Sequence, residues 1–146
     1  MDNNQKIPWD DAYLIGITKV DKQHKKLFEL VNKLYDLEEG EGSKEKLREL
    51  LYDFSDYVKV HFKEEEEYMN AIGFPDLKRH RAIHNSLVET LYKIIQTPAK
   101  LDIIKTKMRV IAKRVLVDHI IQEDTKIKEY VVENHIEEIF DISIVD

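Results

Sequence analysis

Apolar residues recur every three or four positions in four successive stretches of the chain, a spacing that predicts amphipathic helices. The scarce glycine and proline residues fall between these stretches: Gly40, Gly42, Gly73, Pro75 and Pro98. The pattern predicts helices over about 19–38, 43–68, 75–97 and 99–134. Four helices of similar length joined by short breaks predict an all-α fold, an antiparallel up-down-up-down four-helix bundle.

The length of 146 residues favours one domain with its own hydrophobic core. We expect an N-terminal extended arm over about 1–18, the bundle over about 19–134, and a short C-terminal segment over 135–146 that is either a helical turn or an apolar flap. Acidic residues outnumber basic ones by 29 to 23 and the basic residues form no cluster, so no nucleic acid partner is expected. No leader-like or membrane-spanning run is visible, which predicts a cytoplasmic protein without a membrane partner.

Histidines and carboxylates occupy positions on the apolar stripes where core residues are expected. The first stripe carries one of them and each later stripe carries a pair: His24, His61 with Glu65, His80 with His84, and His119 with Asp124. Residues four apart lie about 40° apart around an ideal helix, so both four-residue pairs can point into one volume. His119 and Asp124 are five apart, about 140° on an ideal helix, and the apolar stripe slips by one residue there. The slip predicts a π-bulge.

These seven side chains predict a metal site. A single histidine on a helix face is more often a hydrogen-bonded core or boundary residue than a ligand. Burying one unpaired polar side chain costs about 1–3 kcal/mol, however, so seven on core stripes need a common partner. Nitrogen and oxygen ligands in this number suit one or two borderline transition metals, whereas a structural zinc takes four ligands. Cysteine is absent, which excludes thiolate zinc sites and iron–sulfur clusters.

Other conspicuous residues are predicted to have no role as ligands. His135 lies beyond the repeat and is expected to be a solvated or boundary residue. Three glutamates around Glu65 are predicted to form a solvated helix face: Glu64, Glu66 and Glu67. Aromatic residues and a methionine nearby are predicted to serve packing: Tyr57, Tyr68, Phe62 and Met69.

The order H, HxxxE, HxxxH, HxxxxD resembles the hemerythrin family, and specifically its single-domain bacterial and archaeal type, bacteriohemerythrin. The resemblance extends beyond the ligands to three segments that cover most of the chain: WDDAYLIGITKVDKQHKKLFELVNKL, HFKEEEEYMNAIGFPDLKRHRAIHNSLV and VLVDHIIQED. Many bacterial members have tryptophan four residues before the last histidine, where this chain has Val115. What the family implies about oxygen access and autoxidation is therefore not carried over at this position.

The resemblance implies two iron ions with a bridging oxo or hydroxo group. His80, His84 and His119 would hold the first iron, and His24 with His61 would hold the second. Glu65 and Asp124 would bridge the two irons. An open position on the second iron would bind O₂ or small anions such as azide, in a pocket lined by Phe28, Phe62, Val115 and Ile120.

The function that the resemblance implies is reversible O₂ binding for storage, transport or sensing, without enzymatic turnover. Two alternatives stay open: a di-iron oxidase or peroxidase, and an oxygen or iron sensor that acts through an unidentified protein partner. Di-iron enzymes of related bundles use mostly glutamates as ligands, and the histidine-rich set of this chain favours binding over O–O cleavage.

Overall fold

The computed structural model describes residues 6–136, which form helices and no strand. The first helix is α1 (Thr18–Asn32), which tightens into a 3₁₀ turn over Lys33–Asp36. It is followed by α2 (Ser43–Ala71) and α3 (Leu77–Gln96). The fourth rod is made of α4 (Leu101–Lys113), two π-helical segments (Arg114–Asp118 and Ile120–Asp124) and α5 (Thr125–Glu133).

These rods make the predicted all-α four-helix bundle. Consecutive rods contact each other, and α1 also contacts the first π-helical segment of the fourth rod, so the set closes around one core. Fully buried apolar side chains from all four rods fill it, among them Leu27, Phe54, Leu91 and Met108. The predicted end of the first helix near residue 38 is wrong, because the α-helix stops at Asn32 and extended backbone follows the 3₁₀ turn at Leu37.

Gly73 ends α2 with a left-handed backbone conformation that few residues other than glycine adopt. Its φ of 73° lies in the left-handed region, and its N–H donates to the carbonyl of Asn70 at 3.2 Å. The next N–H, that of Phe74, donates to the carbonyl of Met69 at 2.9 Å. This pair of bonds is a Schellman motif, which satisfies the carbonyls left open at the end of the helix.

The segment before α1 is held against that helix by side chains. The carboxylate of Asp21 accepts the backbone N–H groups of Ile15 and Gly16 at 2.9 and 3.1 Å. Asn32 pairs its amide with both backbone groups of Ile7, at 2.8 and 2.7 Å. The Trp9 ring packs edge-on against Phe28 of α1, with 5.2 Å between ring centroids. The part of the predicted C-terminal segment beyond residue 136 lies outside the described residues.

Candidate metal centre

All seven predicted ligands meet inside the bundle, and none is more than 4% exposed. Every rod contributes: α1 supplies His24, α2 supplies His61 and Glu65, α3 supplies His80 and His84, and the fourth rod supplies His119 and Asp124. The ligand atoms form two clusters that share Glu65, and within each cluster they lie within 4.8 Å of one another. One cluster contains Glu65, His80, His84, His119 and Asp124, and the other contains His24, His61 and Glu65.

Glu65 turns one carboxylate oxygen toward each cluster. Its Oε1 lies 3.2 Å from Nε2 of His80 and 3.1 Å from Nε2 of His84. Its Oε2 lies 3.4 Å from Nε2 of His61 and 3.7 Å from Nε2 of His24. The carboxylate therefore stands between two sets of imidazole nitrogens.

Asp124 is divided in the same way. Its Oδ1 lies 3.1 Å from Nε2 of His80 and 3.3 Å from Nε2 of His119. Its Oδ2 lies 3.2 Å from Nε2 of His24. The two carboxylates thus sort the five histidines into a three-histidine group (His80, His84, His119) and a two-histidine group (His24, His61).

Within residues 6–136, most of these inward-facing atoms make no hydrogen bond of regular geometry to another protein group. The unpaired buried atoms include both oxygens of Glu65, both oxygens of Asp124, and Nε2 of His24, His61 and His80. Nε2 of His84 and Nε2 of His119 lie only 3.0 Å apart. Buried polar atoms are rarely left unpaired. Imidazole nitrogens and carboxylate oxygens gathered this closely are donor types that bind transition-metal cations. The donor set therefore fits metal ions.

The wide turn predicted between His119 and Asp124 is confirmed. Residues Ile120–Asp124 form a π-helical segment, and the N–H of Thr125 donates to the carbonyl of Ile120, five residues back. The wider turn brings residues five apart onto one face, so both candidate ligands point into the bundle. Arg79 of α3 pairs with both oxygens of Glu123 at 2.8 and 3.2 Å and ties this segment to its neighbour.

A family model described as the hemerythrin HHE cation binding domain matches residues 15–131. The chain belongs to the hemerythrin family. It is 36% identical to bacteriohemerythrin of Clostridium acetobutylicum over 84 aligned residues. The alignment covers 56% of this chain and 65% of the relative. It is 30% identical over 112 residues to bacteriohemerythrin of Campylobacter jejuni, covering 76% and 84%. Myohemerythrin of Theromyzon tessulatum is 36% identical over 120 residues, covering 82% and 89%.

Burial and charge set the protonation of this hemerythrin site in opposite directions. Burial alone would lower the pKa of His24, but the carboxylates of Asp124 and Glu65 outweigh it and raise that pKa to about 9. The same competition raises the pKa of His80 to about 10. Burial prevails at His61 and lowers its pKa. Burial would raise the pKa values of Glu65 and Asp124, but the surrounding imidazoles hold both below their usual range.

The predicted solvated face of α2 is wrong at Glu64. This residue is only 7% exposed, and its Oε1 accepts a hydrogen bond of 2.7 Å from the Gln23 amide of α1. The Gln23 Oε1 lies 2.7 Å from Nδ1 of His61. The prediction failed because α1 packs over this flank of α2, which the pattern of one helix does not reveal. Gln23 was not singled out in the sequence.

The prediction is also wrong at Glu66, which is half-buried between α2 and α3. Its Oε2 lies 2.8 Å from Nδ1 of His84, and its Oε1 accepts a hydrogen bond of 3.2 Å from Nε of Arg81. Glu67 is exposed, as predicted, and so is His135, beyond the end of α5. The Nδ1 atoms of two candidate ligands, one from each group, therefore have different partners: an amide oxygen at His61 and a carboxylate at His84.

Four residues were predicted to line an O₂ pocket, and all four are buried: Phe28, Phe62, Val115 and Ile120. Phe62 stacks in parallel on the ring of His84, with 3.7 Å between centroids. Phe28 lies one helical turn from His24 and stacks on Tyr13 at 5.5 Å. The packing roles predicted for Tyr57, Tyr68 and Met69 are confirmed, since all three belong to the core or pack against it. The O₂-lining role of the four residues stays a prediction.

Within residues 6–136, the helices are all too short or too polar to cross a bilayer. The cytoplasmic location and the absence of a nucleic acid partner stay predictions from composition.

Proposed function

We propose that this chain, as a single hemerythrin-like domain over 1–146, binds O₂ reversibly at a di-iron centre for storage, transport or sensing. The observation that carries the proposal is the division of both carboxylates between two groups of histidines. Carboxylates with one oxygen toward each group are suited to bridging two cations. The net charge of two carboxylates and five neutral imidazoles also balances part of the charge of two ferrous ions.

The three-histidine group and one oxygen from each carboxylate would hold the first iron. The two-histidine group and the other oxygens would hold the second, with one ligand fewer. A shared oxo or hydroxo group would complete the bridge, and the unequal ligand count would leave a position for O₂ or azide on the second iron. When bound, the iron pair supplies the electrons for O₂ binding. The protein's own contribution is a dry, nitrogen-rich and rigid site, which favours binding over turnover.

Iron analysis and optical spectra of the full chain test this proposal. We expect two irons per chain, a ferric charge-transfer spectrum that shifts with azide, and a deoxygenated spectrum that returns when O₂ is removed. His61→Ala should lose the azide response and about one iron per chain. His135→Ala is the matched control, because this exposed histidine lies outside both clusters, and it should behave as the parent chain does.

Three results would contradict the proposal. One zinc per chain after aerobic purification would refute the di-iron centre. Irreversible conversion to the ferric form on the first exposure to oxygen would refute reversible binding. Steady-state turnover with peroxide and a reductant, at rates well above those of free iron, would instead identify a peroxidase.

A further inference from the structure

Behind His61 lie two hydrogen-bonded buried polar side chains, Gln23 and Glu64, whose pairing the sequence did not predict. Gln23 of α1 is 5% exposed, and its Nε2 donates to Oε1 of Glu64 at 2.7 Å. Its Oε1 lies 2.7 Å from Nδ1 of His61. Glu64 and His61 both lie on α2, three residues apart, so the amide bridges two groups of one helix from the neighbouring helix. Packing alone does not explain such a bridge, because every buried polar group in it needs a hydrogen-bond partner.

The chemistry of the three groups fixes the direction of both hydrogen bonds. Oε1 of Glu64 accepts a hydrogen bond from the NH₂ group of Gln23. The carbonyl oxygen of the same amide must then face His61, and that oxygen also only accepts. His61 therefore carries its proton on Nδ1. A neutral imidazole has one such proton, so the Nε2 lone pair is free on the side that faces Oε2 of Glu65, 3.4 Å away.

We propose that Gln23 and Glu64 are positioning residues that hold His61 in the tautomer and ring orientation required to ligate the second metal position. Glu64 orients the amide, and the amide orients the imidazole. The proposal rests on the proposed function, because the Nε2 lone pair of His61 is assigned to the second metal ion. It concerns only the two-histidine group. At His84 of the three-histidine group the outer nitrogen faces the carboxylate of Glu66 instead.

Removing the amide should therefore weaken one metal position and spare the other. Outer partners of ligating histidines typically contribute about 10–100-fold to metal affinity. In an anaerobic Co²⁺ titration of the metal-free full chain, followed by visible absorption, we expect two binding steps. Gln23→Leu should weaken the second step about 10–100-fold and leave the first within about 3-fold. Gln96→Leu is the matched control, since this exposed glutamine at the end of α3 should leave both steps unchanged.

A double variant separates positioning from a general loss of stability, because Gln23→Leu also leaves Glu64 without its donor. The exchange Q23E/E64Q keeps the total charge and allows both hydrogen bonds, now with a carboxylate as acceptor for His61. We expect this exchange to restore the second Co²⁺ step to at least the parent affinity. In the Zn²⁺-loaded protein, the Nδ1 proton of His61 should give a slowly exchanging NMR signal. That signal should disappear in Gln23→Leu and move downfield in the exchange variant.

The outcomes distinguish this inference from the function on which it rests. Binding of a single Co²⁺ by the parent chain would overturn the di-metal proposal and this inference with it. Two bound ions with no change in the second step of Gln23→Leu would overturn the positioning role alone. Equal weakening of both steps, or failure of the exchange variant to recover the second step, would also refute positioning and indicate a structural role.

Discussion

Metal binding at the candidate centre should release protons, and the histidines with raised pKa values supply them. The pKa values of His24 and His80 are raised to about 9 and about 10 in the metal-free site. Both imidazoles therefore carry a second proton at pH 7.5, and each must lose the Nε2 proton before it can ligate. His61, whose pKa is lowered, contributes none. Burial would lower the pKa of His84, but the carboxylates of Glu65 and Glu66 outweigh it and raise that pKa as well. We therefore expect at least about two protons per chain to leave when both metal positions fill at pH 7.5.

The size of the effect follows from the same values. One pKa unit corresponds to about 1.36 kcal/mol, so deprotonation at pH 7.5 costs about 2 kcal/mol at His24 and about 3 kcal/mol at His80. Together these costs lower the combined apparent affinity for two metal ions by about 10⁴-fold. That affinity should rise by about two orders of magnitude per pH unit near neutrality, and the rise should end above about pH 10.

Calorimetry and a pH indicator measure the released protons. The metal-free chain is titrated anaerobically with Zn²⁺ or Fe²⁺ in a weakly buffered solution, and the heat is compared between buffers of different ionisation enthalpy. His24→Gln should release about one proton fewer, whereas His135→Gln should match the parent chain. Release of less than one proton at pH 7.5, or a number that does not fall between pH 7 and 10, would refute the reasoning.

Three further predictions concern stability. The melting temperature of the metal-free chain, followed by circular dichroism, should fall as the pH rises from about 6.5 to about 10. Protonated His24 and His80 stabilise the fold below that range, and this stabilisation is lost as they deprotonate. A melting temperature that does not change with pH would contradict this. Leu91→Ala, at a fully buried position, should cost about 2–5 kcal/mol in urea unfolding and still bind two metal ions; loss of metal would show that site and core are not separable. Gly73→Ala should cost about 1 kcal/mol because φ is 73°, whereas Gly40→Ala, with open space and no positive φ, should cost less; equal costs would refute the strain argument.

The seven candidate ligands were visible in the sequence because each is polar on an apolar stripe. That mismatch is a local signal, since helical spacing alone shows which face of a helix is buried. The same apolar spacing predicted the four helices. Glycine and proline residues marked the breaks between them. The turn near Asp124 was visible as a slip of the apolar pattern, and the structure places a π-helical segment there.

Other parts of the site depend on contacts between helices and left no such signal. Gln23 and Glu64 lie beside their stripes, and they are buried only because α1 and α2 cover each other there. Glu66 is half-buried for the same reason, between α2 and α3. A second π-helical segment, Arg114–Asp118, was also missed, since the apolar pattern shows one slip and two wide turns follow each other closely.

The packing of Trp9 against α1 gives the molecule an optical reporter of its own. Trp9 is the one tryptophan of the sequence, and its partner Phe28 lies one helical turn from His24. Indole emission therefore reports the attachment of the segment before α1, while circular dichroism reports the helices. Unfolding curves from the two signals will coincide if this segment detaches together with the bundle. They will separate if it detaches first, and no label or substitution is needed to see which happens.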